Sequence, residues 1–70
     1  MMPLTVLDAG EERIVLRISG KPDVKKHLEN LGFVAGSEVM VMNVIGGNVI
    51  VKVKEARVAI SREMAQKIMV

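Results

Sequence analysis

Seventy residues without a cysteine make a single domain, residues 1–70, near the lower size limit for unaided folding, and they exclude both disulfides and thiolate metal sites. Half of the residues are apolar and the net charge is +2, a globular composition that by itself implies no nucleic-acid partner. No apolar run approaches the roughly 18 residues that span a bilayer, and the N-terminus lacks the basic and apolar regions of a signal peptide, so a cytoplasmic, soluble protein without membrane insertion is expected.

The lead-in after Pro3 carries Leu4 and Leu7 and is expected to be extended. Asp8-Ala9-Gly10 is a turn signal, with Gly10 free to take a positive φ. Residues 13–18 alternate, which predicts a half-buried strand with Ile14, Leu16 and Ile18 inward and Arg13, Val15 and Arg17 outward. Lys21-Pro22-Asp23 opens a helix that runs to about Leu31. Val24, Leu28 and Leu31 form its apolar stripe, and Lys25, Lys26, Glu29 and Asn30 its outer face. Gly32 stands where a helix stop needs a left-handed residue, and Phe33 is placed to pack back on Leu28.

Gly36-Ser37 then turns the chain into a strand over residues 38–44, and Gly46-Gly47-Asn48 makes a hairpin turn. A second strand covers residues 49–54, with Val49, Val51 and Val53 inward and Lys52 and Lys54 outward. A tight connection at Glu55-Ala56 leads to a third strand over residues 57–60. Ser61 is set as an N-cap, with Glu63 in the first turn, Lys67 in the last, and Met64, Ala65 and Ile68 as the apolar side of a single helical turn. Ile68-Met69-Val70 can return as a strand and close the sheet on itself. Five strand segments, one helix and one short C-terminal helical turn predict a mainly β fold, a small, partly open SH3-like barrel. A chain this small does best by removing its sheet edges.

Few residues suggest chemistry. His27 is the only histidine, and a transition-metal site needs three or four convergent ligands, so a helix-surface residue is the simpler reading. Met40 and Met42 share a face with Glu38 and Val44, opposite Val39 and Val41. That fits core packing under the helix, a soft partner surface or, more remotely, thioether ligation. Gly46-Gly47 lacks the Lys-Ser/Thr that a phosphate loop requires. Arg13 and Arg17 with Lys52 and Lys54 would make a basic stripe only if their strands lie side by side. The single aromatic, Phe33, argues against nucleic-acid stacking and against proline-rich peptide binding. Glu11 and Glu12 face opposite ways on a strand, and no nucleophile–base pair is visible, so no enzyme is expected.

Leu4 and Leu7, Gly10-Glu11, Val15, Ile18 and Gly20, then Leu28, Leu31-Gly32-Phe33 and Gly36-Ser37 set out a pattern. Val39 and Val41, the hairpin, and the closing Ile60-Ser61, Ala65, Ile68 and Val70 complete it. Together they resemble the FeoA family over nearly the whole length. Ala35 departs from the family, which commonly has Pro before the glycine, and this loosens the turn. The resemblance implies a non-catalytic cytosolic accessory protein of a ferrous iron uptake system. It would dock on the cytosolic GTP-binding domain of the membrane iron permease and bias its conformation or nucleotide cycle. It also implies a second reading, a metal-responsive, transition-metal-binding regulatory module like the C-terminal domain of iron-dependent repressors.

No tightly bound cofactor, no assigned metal ligand and no nucleic-acid partner are expected. Weak binding of Fe(II) or another divalent metal is left open, as is self-association. Gly10, Gly32, Gly36, Gly46 and Gly47 are expected as structural turns. The helix and its exit, Lys25, Lys26, His27, Phe33 and Val34, are the expected partner surface. Charge there would steer docking, and Phe33 and Val34 would anchor it if not fully buried.

Overall fold

Backbone hydrogen bonds arrange the chain into six strands in two antiparallel sheets in the computed structural model, which describes all residues Met1–Val70. In chain order these are a 3-10 turn Leu4–Val6, β1 Glu12–Ile14, β2 Arg17–Ile18, α1 Pro22–Asn30, β3 Glu38–Ile45, β4 Asn48–Val53, β5 Ala56–Ser61, α2 Arg62–Ala65 and β6 Ile68–Met69. The larger sheet has the order β1-β3-β4-β5, and the smaller one pairs β2 with β6. Together they form the expected small, partly open barrel around one core of 15 apolar residues.

The sixth strand arises because the predicted strand over residues 13–18 changes partners midway. The Val15 N–H donates to the Ser37 carbonyl at 2.8 Å, whereas the Leu16 N–H donates to the Met69 carbonyl at 2.8 Å. One residue belongs to the ladder with β3 and the next to the ladder with β6. This turn of the backbone breaks the two-residue period, so Val15 is 1% exposed while Ile14 and Leu16 are 44% and 52% exposed. The inward assignment of Ile14 and Leu16, and the outward one of Val15, are thereby corrected. Only Ile18 keeps its expected place in the core.

Two further local differences have equally plain causes. The lead-in is a 3-10 turn rather than extended, closed by the Leu7 N–H donating to the Leu4 carbonyl at 3.1 Å. Residues three apart eclipse in such a turn, which drops Leu4 and Leu7 into the core together. In β3 the register shifts between Val41 and Asn43, so that Met42 has no partner across the ladder. An unpaired residue reverses the facing of everything beyond it. Val44 therefore opposes Val49, on the side of Val39 and Val41, instead of sharing a face with Met40 and Met42. Those two methionines are half-buried and lie outside the core, which removes the core-packing reading for them.

The remaining elements follow their local signals. Phe33 donates from its N–H to the Leu28 carbonyl, and Gly32 to the Glu29 carbonyl, both at 3.0 Å. That is the Schellman pattern, with Gly32 at φ +110° and Phe33 and Leu28 fully buried in one cluster. The expected turn glycines Gly10, Gly36, Gly46 and Gly47 all have positive φ. The Ser61 hydroxyl accepts from the Met64 N–H at 3.1 Å and caps α2. The β4–β5 turn is Lys54-Glu55, one residue earlier than expected, and both residues are left-handed, at φ 49° and 66°. Met2 and Val70 exchange two backbone hydrogen bonds, of 2.9 and 2.8 Å, which ties the N-terminal segment to β6.

Candidate docking surface

Lys25, Lys26 and His27 are exposed on α1, as the sequence suggests. The molecule's ion pair, Arg13 to Glu11 at 2.8 Å, does not involve them. Val34, just past the helix stop, is half-buried. Phe33 is 0% exposed, so it holds α1 to the barrel and has no face to offer a partner. That removes it from the expected partner surface. No three His, Asp or Glu side chains converge on a position that would hold a metal ion.

Beyond Phe33 the chain makes a second tight turn. The Ser37 N–H donates to the Val34 carbonyl at 3.0 Å with Gly36 at φ +93°, a type II turn with Ala35 in the position proline favours. This turn forms one lip of a half-open groove of about 430 Å³. Glu12, Met40 and Lys52, aligned across β1, β3 and β4, line it from the sheet. The other lip is the left-handed Lys54-Glu55 turn. The Lys54 stem crosses over the helix stop, where a Cβ added to Gly32 would lie 3.5 Å from its Cδ. Helix exit, type II turn and β4–β5 hairpin thus meet at one place.

The groove's electrostatics are mixed. Glu12, Glu38 and Glu55 face it together with Lys52 and Lys54, and none of the five takes part in an ion pair. Open, unpaired charges of both signs beside a thioether suit the recognition of another polar surface. The groove was not visible in the sequence, because its walls come from residue 12, residues 36–40 and residues 52–55. Only the strand register unites them.

The conditional basic stripe does not form. β3 separates Arg13 on β1 from Lys52 on β4, and Arg17 lies in the smaller sheet. Arg13 is further engaged by Glu11.

Comparison with known proteins adds what geometry alone does not. The FeoA domain family matches residues 2–70. The chain belongs to the FeoA family. A Methanocaldococcus jannaschii protein named for Fe(2+) transport is 37% identical over 70 residues, spanning all of this chain and 85% of that one. A solved structure of Stenotrophomonas maltophilia FeoA complexed with zinc, described as an SH3 domain protein, has a TM-score of 0.85 at 25% identity, over 99% of this chain and 88% of that one. A manganese-dependent transcriptional repressor contains a similar unit, with a TM-score of 0.85 and 25% identity over 94% of this chain and 38% of the repressor. The barrel is therefore the SH3-like fold of FeoA proteins, the accessory proteins of ferrous iron transport. No helix of this FeoA-family chain is long and apolar enough to cross a membrane.

Proposed function

We propose that this FeoA-family protein is a non-catalytic, cytosolic accessory that docks on the GTP-binding domain of a ferrous iron permease. Docking shifts that domain's conformational or nucleotide equilibrium, a coupling of two binding equilibria. The observation that carries this reading is the meeting of the α1 exit with the groove, whose charges, like Lys25, Lys26 and His27 on the helix, stand outside any intramolecular ion pair. Lys25, Lys26 and His27 steer the encounter, and Val34 with the groove sets its register. The test is an amide-resolved NMR titration with the isolated GTP-binding domain, with and without nucleotide. Perturbations should be contiguous over α1, Val34 and the groove lips. Lys25→Glu with Lys26→Glu should weaken docking roughly tenfold, mainly through the association rate, and make it less salt-dependent. The fold should remain intact, because exposed substitutions change stability by only about 0.5 kcal/mol. An undisturbed spectrum at high concentrations of both proteins would remove direct docking.

A second reading, metal-responsive regulation, is favoured by two of the structural relatives, the zinc-complexed FeoA and the manganese-dependent repressor. In this chain His27 is the only imidazole, and it stands exposed on α1. Anaerobic calorimetry with Fe(II) and Zn(II), on the protein and on His27→Ala, separates the readings. Saturable binding lost on substitution would favour the metal-responsive one.

A further inference from the structure

The larger sheet has two outer edges, and the protein treats them differently. On β1 the Arg13 guanidinium folds back onto the strand, donating to the Glu12 carbonyl at 2.8 Å and to the Glu11 carboxylate at 2.8 Å. A side chain occupies backbone that another strand would use, a common way of guarding an edge. β5 has no such cover. Its pairing with β4 starts from Val53 and Ala56 across the two-residue turn, so Ala56, Val58 and Ile60 bond to β4. Arg57 and Ala59 therefore point their N–H and C=O groups away from the sheet, as does the Ser61 N–H. No turn, loop or cap hydrogen bond uses the outward backbone groups of these three residues; Ser61 engages only its hydroxyl, which accepts from the Met64 N–H.

The side chains along this edge indicate what it accepts. Arg57, Ala59 and Ser61 are exposed on the outer face, and Ala59 leaves room over the centre of the strand. Arg57 lies directly opposite Lys52, and neither takes part in an ion pair. Like charges facing each other across a sheet repel. A strand added outside β5 with a carboxylate opposite Arg57 would relieve that repulsion and satisfy the open backbone groups together. A second copy of β5 does not do this. With Ala59 on Ala59, antiparallel self-pairing sets Ser61 against Arg57 and supplies no acid.

We propose that the β5 edge is a binding site for an extended, acidic segment of a partner protein, which joins the larger sheet as a strand with a carboxylate against Arg57 and Lys52. This site uses no α1 residue and shares only Lys52 with the groove, and its test, which needs no permease domain, does not depend on the permease reading. The probe is a short capped Thr/Val peptide with one central Glu, compared with its Lys counterpart, titrated into isotope-labelled protein. The Glu peptide should shift the Arg57, Ala59 and Ser61 amides, slow their hydrogen exchange, and bind roughly tenfold more tightly than the Lys peptide. Arg57→Glu should reverse that preference. Ala59→Pro removes an outward N–H that the β4 ladder does not use, so the fold should persist while peptide binding is lost. Equal affinity for the two peptides, no protection of the three amides at millimolar peptide, or full binding by a folded Ala59→Pro protein would overturn the proposal. Concentration-dependent shifts at β5 without peptide, with a dimer mass in sedimentation, would instead assign the edge to a second copy of the chain.

Discussion

Gly32 shows how one residue can set the path of a chain without carrying a side chain of its own. At φ +110° it is in a region that other residues occupy only with strain, while the space around it is adequate. A Cβ would meet Lys54 and Val53 at 3.5 Å, ordinary van der Waals contact. The expected cost of Gly32→Ala is therefore conformational, about 1–2 kcal/mol. For a domain of this size it should lower Tm by roughly 5–15 °C in thermal unfolding. Lys54-Glu55 is the opposite case, a two-residue hairpin turn with left-handed backbone and no glycine. Asn-Gly is the natural occupant of such a turn. Lys54→Asn with Glu55→Gly should raise stability by about 1–2 kcal/mol, read from denaturant unfolding. If the same double variant docks more weakly, the strain is retained because the groove needs these side chains at its lip. Unchanged docking would make the turn purely architectural.

At the scale of elements, α1 has nine residues and Leu28 as its one fully buried side chain, with Val24 and Leu31 packed more loosely. So short a helix is unstable by itself, and tertiary contact must hold it. Hydrogen exchange in α1 should accordingly run ahead of that in β3 and β4. Leu28→Ala, costing about 2–5 kcal/mol, should release α1 or the whole domain. Amide exchange followed by NMR distinguishes the two outcomes. Elements such as α1 were legible because their signals are local. Gly32 and Phe33 after the Val24, Leu28 and Leu31 stripe, Ser61 before α2 and Gly46-Gly47 between valine-rich strands each act within a few residues. The switch at Val15 and the irregularity at Met42 were not legible. Val15 faces inward because Ser37 and Met69 claim adjacent backbone groups, and Val44 comes to oppose Val49, though still 55% exposed, because Asn43 pairs with Ile50. Partners so distant leave no mark on a two-residue alternation.

The same division holds for function across the whole molecule. Lys25, Lys26 and His27 could be placed on a surface from helical spacing alone, whereas the groove at the helix exit exists only once β1, β3 and β4 are in register. Phe33 was ambiguous in the sequence, since one residue cannot both lock a helix and stand open to a partner; its burial decides for the lock.

The paired backbone of Met2 and Val70 has a consequence at this scale. The barrel is one short link away from a covalent ring. A few Gly or Ser residues joining position 70 to position 1 would bridge neighbours already in contact, at little entropic cost. The ring could then be reopened between Gly46 and Gly47, where the backbone faces open space. Such a circular permutant should keep the amide spectrum of the barrel outside the two edited sites. Any polypeptide fused to either terminus would leave from the same corner, beside the smaller sheet, while the groove belongs to the larger one.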